Sequence, residues 1–291
     1  MKRLMIAGIA GLCAAVTFGI ESANIVGYMN KTMNEGGFTM NGASFLSMGK
    51  AGMNLTDLVP SGYEGNQDLK DAEETRGEIN IQTLTKLGKT EKTYMWVRSF
   101  DVDEEKWNDD GHWIVDGVAV SKGDKNDALF TAGKGLWIAA PGYAEDDGAV
   151  YSMTDAGEVN TNDVKTVLNE GGFAACANPF PVGVRLSSLI PVGYEGNQDL
   201  KDAEETRGEF NIQTLTKLGK TEKTYMWVRS FDVDEEKWND DGHWIVDGVT
   251  VVPNSDNDPI IPAGQGLWIA APGYAEDDGA EYSITFKFPN E

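Results

Sequence analysis

The dodecapeptide KWNDDGHWIVDG occurs twice, at residues 106–117 and 237–248, and carries the only two histidines of the chain, His112 and His243. Tryptophans, aspartates and one histidine at this spacing suit four kinds of chemistry: a metal site, a sugar platform, a catalytic cluster, or the tip of a β-hairpin. For a metal, Asp101, Asp103 and Glu105 alternate like the first ligands of a calcium loop, and Asp109 and Asp110 follow; Asp232, Asp234, Glu236, Asp240 and Asp241 repeat the set. Lys106 stands where an EF-hand needs glycine, and His112 stands where it needs the bidentate glutamate. What remains is a looser Ca2+ site, with alternate strand carboxylates sharing the ion with the following loop, helped by the acidic turns at 124–127 and 145–148. One histidine per copy and a lone cysteine supply too few ligands for zinc.

For a sugar, the chain offers eight tryptophans, four per copy: Trp96, Trp107, Trp113 and Trp137, then Trp227, Trp238, Trp244 and Trp268. The candidate ligand-binding set is Trp107, His112 and Trp113 with Trp238, His243 and Trp244, where aromatic faces lie beside carboxylates in sequence, and tandem copies would add avidity. For catalysis, G-x-S-x-G, H-E-x-x-H and phosphate-loop motifs are missing, and no cysteine is placed beside a histidine. Neighbouring carboxylates such as Asp109 and Asp110, or Glu104 and Glu105, point to opposite faces of a strand, whereas glycoside cleavage needs two that converge at roughly 5–9.5 Å. The hairpin needs least: with Asp109, Asp110 and Gly111 as a three-residue loop, Trp107 faces Trp113 and Asn108 faces His112. Such a tryptophan pair contributes roughly 0.5–1.5 kcal/mol beyond area burial without any ligand.

These residues sit inside a long internal repeat. Residues 63–118 and 194–249 match at every position but one, Ile79 against Phe210, at an offset of 131; the match resumes at 132–149 and 263–280. Upstream it weakens: NEGGF at 34–38 recurs at 169–173, and NLTDLVP at 54–60 corresponds to RLSSLIP at 185–191. A period this long exceeds the roughly 20–50 residues of solenoid repeats. The reading is two whole domains, 24–153 and 160–288, joined by a polar linker at 154–159. Dense Gly, Pro and Asn-Asp turns separate short apolar runs rich in Tyr, Trp, Val and Phe, such as residues 93–100 and 135–140. That pattern predicts an all-β fold, two tandem β-sandwich, jelly-roll-like domains. Residues 66–76 are the one helix candidate, expected as at most a short surface helix or turn.

The segments ESANIVGY (21–28), ANPFPV (177–182), AGEV (156–159) and PAGQGLWI (262–269) together resemble a family of secreted tandem β-domain proteins from bacteria of the Planctomycetes and Verrucomicrobia group. The resemblance implies an exported, β-rich surface or extracellular protein and supplies no catalytic residue. The first copy departs from it: NGASFLSM, at 41–48, stands where the second has Asn-Pro-Phe-Pro.

Composition sets the address and the partners. Lys2 and Arg3, then the apolar run 4–20 and small residues up to Ala23, read as a signal peptide over 1–23, cleaved after Gly19 or Ala23. The alternative is a membrane anchor, but about 17 apolar residues interrupted by glycine fall short of the roughly 20 needed. Cleavage removes Cys13 and leaves Cys176, read as a core thiol, so packing and not disulfides must hold the fold. A net charge of -23 excludes nucleic acid as a partner. The sequence therefore predicts an exported, non-enzymatic cell-surface or extracellular-matrix protein with a structural or adhesive role, needing no cofactor. A calcium-assisted carbohydrate-binding tandem module is the alternative, and a glycoside hydrolase the third reading. An extracellular glycan or a surface or matrix protein is the expected partner.

Overall fold

The computed structural model describes residues 26–34, 38–61, 74–85, 88–101, 103–107, 111–140, 150–169, 173–192, 205–216, 220–232, 234–235, 237–238, 242–271 and 281–289; the expected signal peptide lies outside them. The protein is nearly all β. The first half forms β1 (Val26–Asn34), β2 (Phe38–Asn41), β3 (Phe45–Leu46), β4 (Gly52–Asn54), β5 (Leu58–Ser61), β6 (Glu74–Leu84), β7 (Thr90–Asp101), β8 (Lys106–Trp107), β9 (His112–Val115), β10 (Val118–Ala119), β11 (Leu129–Thr131), β12 (Leu136–Ala139) and β13 (Val150–Val159). The second half forms β14 (Val164–Asn169), β15 (Phe173–Ala177), β16 (Val184–Arg185), β17 (Ile190–Val192), β18 (Glu205–Leu215), β19 (Thr221–Asp232), β20 (Lys237–Trp238), β21 (His243–Val246), β22 (Val249–Thr250), β23 (Ile260–Ile261), β24 (Gly266–Ala270) and β25 (Glu281–Phe286). The helical elements among the described residues are two single 3-10 turns, Leu55–Asp57 and Leu186–Ser188.

Both halves use the same pairing. A seven-stranded antiparallel sheet runs β10-β9-β7-β6-β12-β2, with β8 also on β7; its counterpart runs β15-β24-β18-β19-β21-β22, with β20 on β19. A smaller sheet is built on the last strand of each half: β1, β3 and β5 pair with β13, and β14 and β17 pair with β25. Two-residue alternation chooses the faces. Ile79 and Ile81 of β6 are fully buried while Asn80 and Gln82 face outward, and Tyr94 and Trp96 of β7 join the isoleucines. Phe45, Leu58, Tyr151 and Met153 of the smaller sheet enter the same cluster, so both sheets enclose one core. The second half has its own core, with Phe210, Ile212, Trp227 and Trp244 against Leu189, Tyr282 and Ile284. A polar bond crosses each core: Trp113 Nε1 donates to the Leu58 carbonyl at 2.8 Å, and Trp244 Nε1 to the Leu189 carbonyl at 2.7 Å.

Two expectations are corrected. Residues 154–159, read as a linker, are the second half of β13: Thr154 to Glu158 pair with β1, and Asp155 is fully buried. The polar letters mislead because Asp155 is paired inside the protein, accepting from Lys31 Nζ at 3.1 Å and from the Ser44 N–H at 2.8 Å. Lys31 also donates to the Gly42 carbonyl. Burial pulls the Lys31 ammonium below its ordinary pKa, and the Asp155 carboxylate opposes that. The helix candidate 66–76 ends as strand, since Glu74, Thr75 and Arg76 pair with Ser99, Arg98 and Val97; the rest of it lies outside the described residues.

The halves meet through reciprocal backbone bonds. The Gly42 N–H donates to the Gly264 carbonyl at 3.0 Å, and the Ala177 N–H donates to the Gly133 carbonyl at 2.9 Å. Asn41 likewise bridges Gln265, as Cys176 bridges Lys134. Contacts in which each partner plays both parts are the signature of a two-fold relation, here within one chain. Glycine makes the approach possible: a Cβ on Gly266 would lie 2.1 Å from the Met40 carbonyl oxygen, and one on Gly135 would lie 2.6 Å from the Cys176 amide nitrogen. At the seam itself a Cβ on Gly42 would meet the Ala177 Cβ at 2.4 Å, so one position of the pair holds a methyl and the other cannot.

Two measurements check this account. In urea unfolding, Gly42→Ala is expected to destabilise by about 1–3 kcal/mol through overpacking against the Ala177 methyl and the Lys134 carbonyl, and adding Ala177→Gly in the same chain recovers only the part of the loss due to the methyl. Lys31→Met leaves the buried Asp155 carboxylate without its cation and is expected to cost about 3–5 kcal/mol.

Candidate functional site

The opening dodecapeptide folds differently from the expected hairpin. After β7 comes a turn at residues 103–105, where Glu105 has φ +51, and β8 returns along the strand with Trp107 opposite Phe100 and Lys106 opposite Asp101. β9 then continues along the same edge of β7, with His112 opposite Val97 and Trp113 opposite Trp96. β8 and β9 are therefore two separate segments paired with β7, and the turn between β7 and β8 is at the DEE of residues 103–105; residues 108–110 lie outside the described residues. The register sets Trp113 opposite Trp96 where Trp107 was expected, and the rings of Trp96 and Trp113 cross edge to face at 5.2 Å, as those of Trp227 and Trp244 do. Gly111 keeps its expected positive φ, at +89, and lies on the Trp96 indole, where a Cβ would approach Nε1 to 2.5 Å.

This placement redistributes the sequence candidates. Trp113 and Trp244 are 1% and 2% exposed, with their indole N–H groups spent on carbonyls, so neither has a face to offer a ligand. His112 is exposed and His243 half-buried, while Trp107 and Trp238 close β8 and β20. Asp101 and Asp232 end β7 and β19, but Asp103, Glu105 and Asp234 lie in exposed turns, so the strand-face alternation assumed for calcium stops at the strand ends. Asp109, Asp110, Glu236, Asp240 and Asp241 lie outside the described residues, as does the acidic turn at 145–148. Glu104 pairs with Lys106, and Glu235 with Lys237. No group of three or more metal-ligating side chains occurs among the described residues.

The acidic turn at 124–127 is structural. Asp124 accepts the backbone N–H groups of Ser121, Asn126 and Asp127, which hold its carboxyl below the ordinary value. Asp127 accepts from the Thr56 N–H and hydroxyl and from the Gly123 N–H. Asp258 does the same for Ser187 and Asn254. Cys176 is 1% exposed, and burial pushes its thiol pKa far up, which makes it the unreactive core thiol expected.

The structure brings together a different set. A cleft of about 320 Å³ opens where the outward faces of the two large sheets meet, within the usual range for ligand pockets. Its lining is paired at the repeat offset: Gln82 with Gln213, Leu84 with Leu215, Thr90 with Thr221, and Trp137 with Trp268. Strand register explains each trio. Trp137 lies directly opposite Gln82 across β12 and β6, and Trp268 opposite Gln213 across β24 and β18. The Thr90 hydroxyl donates to Gln82 Oε1 at 3.0 Å and that of Thr221 to Gln213 Oε1 at 3.1 Å, fixing each amide and leaving its NH2 group as a donor. Phe38 supports Trp137 at 5.8 Å and Phe173 supports Trp268 at 5.6 Å. Gly88, at φ +72, stands so near the second half that a Cβ on it would lie 2.8 Å from the Trp268 ring.

Alternation in EINIQTL places Gln82 on the face opposite Ile79 and Ile81, a signal present in the sequence. That this face meets its own copy depends on the seam glycines, which composition does not reveal. No protein-family model matches the chain, and no curated protein or solved structure matches it.

For the dodecapeptide, Gly111→Val together with Gly242→Val is expected to destabilise by about 2 kcal/mol or more, through positive φ and the tryptophan behind it. His112→Gln with His243→Gln should stay within about 0.5 kcal/mol. Thermal unfolding of both pairs reads the difference.

Proposed function

We propose that this is an exported, non-enzymatic binding protein of the cell surface or extracellular matrix, adhesive in role, built as two tandem β-sandwich domains that hold a ligand between them. The observation that carries the reading is the cleft. Two half-buried tryptophans, each backed by a phenylalanine, face a seam locked by backbone bonds, so the aromatic surface is preorganised. A pair of separate cores supports the two-domain architecture. Export rests on the basic and apolar N-terminal segment and on the resemblance to secreted tandem β-domain proteins. No helix among the described residues is long and apolar enough to cross a membrane. The carboxylates that could be read as catalytic are neighbours in sequence or are engaged in ion pairs and turn bonds, and this supports binding over hydrolysis.

Fractionation of the producing cells, with a retention assay on their isolated surface material, tests the proposal. The chain is expected in the surface or extracellular fraction without its first residues, and Trp137→Ala with Trp268→Ala is expected to abolish retention while leaving the Tm within a few degrees. A full-length cytoplasmic protein, or retention indifferent to both tryptophans, would refute it.

A further inference from the structure

We infer that the cleft takes one neutral, hydroxyl-rich glycan chain long enough to touch both aromatic and amide trios at once. The inference rests on the binding role proposed above and names the ligand class. Three observations lead to it.

The first is charge. In a chain of net charge -23, the described residues lining the cleft include no Asp, Glu, Lys or Arg. Among the described lining residues an ionic ligand would find no counter-charge, and the net negative charge of the chain disfavours an anionic one. The second is the kind of polar group. Each amide oxygen is already held by a threonine hydroxyl, so the cleft presents NH2 donors together with hydroxyl oxygens that still accept. Sugar hydroxyls both donate and accept, and they match that mixture. The indole faces of Trp137 and Trp268 add flat apolar surface, which suits the C–H face of a pyranose ring. A purely apolar ligand would strand the glutamine amides without partners, at a cost.

The third is duplication across the seam. Trp137, Gln82 and Thr90 recur as Trp268, Gln213 and Thr221 on the other side of one opening. A single sugar has room to engage one trio. A chain that spans both converts the second contact into an intramolecular one, so affinity should climb with length until both trios are filled. Each described polar contact in the lining is neutral, so chelation of divalent cations should leave binding unchanged.

The test is calorimetric titration of the mature full chain with cello-, manno-, xylo- and malto-oligosaccharides from one to six sugars, with oligogalacturonate as the charged control, in calcium and in EDTA. At least one neutral series should bind in both buffers and gain about tenfold or more in affinity from the monosaccharide to the longest member. Trp137→Ala and, separately, Gln82→Leu should each weaken the longest member by about tenfold, and should flatten the length dependence. Gln82→Leu keeps the strand and the indole, so loss of binding at unchanged Tm reports the amide and not the fold. The inference is overturned if no neutral series binds, if oligogalacturonate binds as well as the best of them, or if Gln82→Leu is silent. Should the titrations be blank while retention on surface material still depends on Trp137 and Trp268, the glycan is wrong and the cleft stands. If retention ignores the tryptophans too, both are wrong.

Discussion

The arrangement of this protein depends on how closely two backbones approach at the seam between its repeats. Gly42 and Ala177 donate their N–H groups into the opposite half, to Gly264 and Gly133. A hydrogen bond between main chains requires that no side chain intervene, and Gly135 and Gly266 meet that requirement where a Cβ would fall within 2.6 Å of the facing backbone. Everything outward follows. The bonds fix β2 against β24 and β12 against β15, those strands carry Phe38, Trp137, Phe173 and Trp268, and the two tryptophan rings, each backed by its phenylalanine, come to line one opening. The cleft is thus a product of the joint, not of either half alone.

Because the two halves are not identical upstream of the long repeat, they brace the joint differently. In the first half, Lys31 and Asp155 form a buried pair that also holds the Gly42 carbonyl and the Ser44 N–H. In the second, Asn178 holds the equivalent loop, its amide donating to the carbonyls of Val182, Ile261 and Pro262 and its oxygen accepting from the Phe180 N–H. One solution uses a desolvated ion pair, whose two charges must balance each other; the other uses a neutral amide, which satisfies four backbone groups by itself. The two braces are built from unrelated side chains, and the first loop carries β3 on β13 where the second has Asn178, so NGASFLSM and ANPFPV look unlike each other in sequence.

Much of the architecture was legible from local chemistry. Gly, Pro and Asp-Gly turns announced strands, and the two-residue Asp116-Gly117 turn, at φ +51 and +75, joins β9 to β10 as its letters suggest. The 131-residue offset announced two similar halves, each with its own core. The polar stretch at 154–159 misled because a buried charge pair looks, one residue at a time, like a solvated link. The dodecapeptide misled because pairing is a property of the partner strand: Trp113 had two candidate tryptophans, and register on β7 selected Trp96. As for the site, alternation set Gln82 apart from the core, whereas the apolar run at 135–140 reads as buried and hides the half-exposed Trp137; only the approach of the second copy turned that outward face into a cleft.

The meeting of Gly42 with Ala177 bears on the history of the gene. A two-fold seam places position 42 against position 177, and two methyl groups there would stand 2.4 Å apart. Two identical copies meeting at this seam would both have to carry glycine there; two copies in one chain can differ, and here one of them holds alanine. Copying of the second repeat over the first would therefore crowd the joint if the tract ran upstream through the alanine, whereas copying in the other direction would leave glycine at both places. Near-identity fades between the seam strands and Tyr63, so the residues that tell the two copies apart at the joint lie outside the stretch they share almost letter for letter.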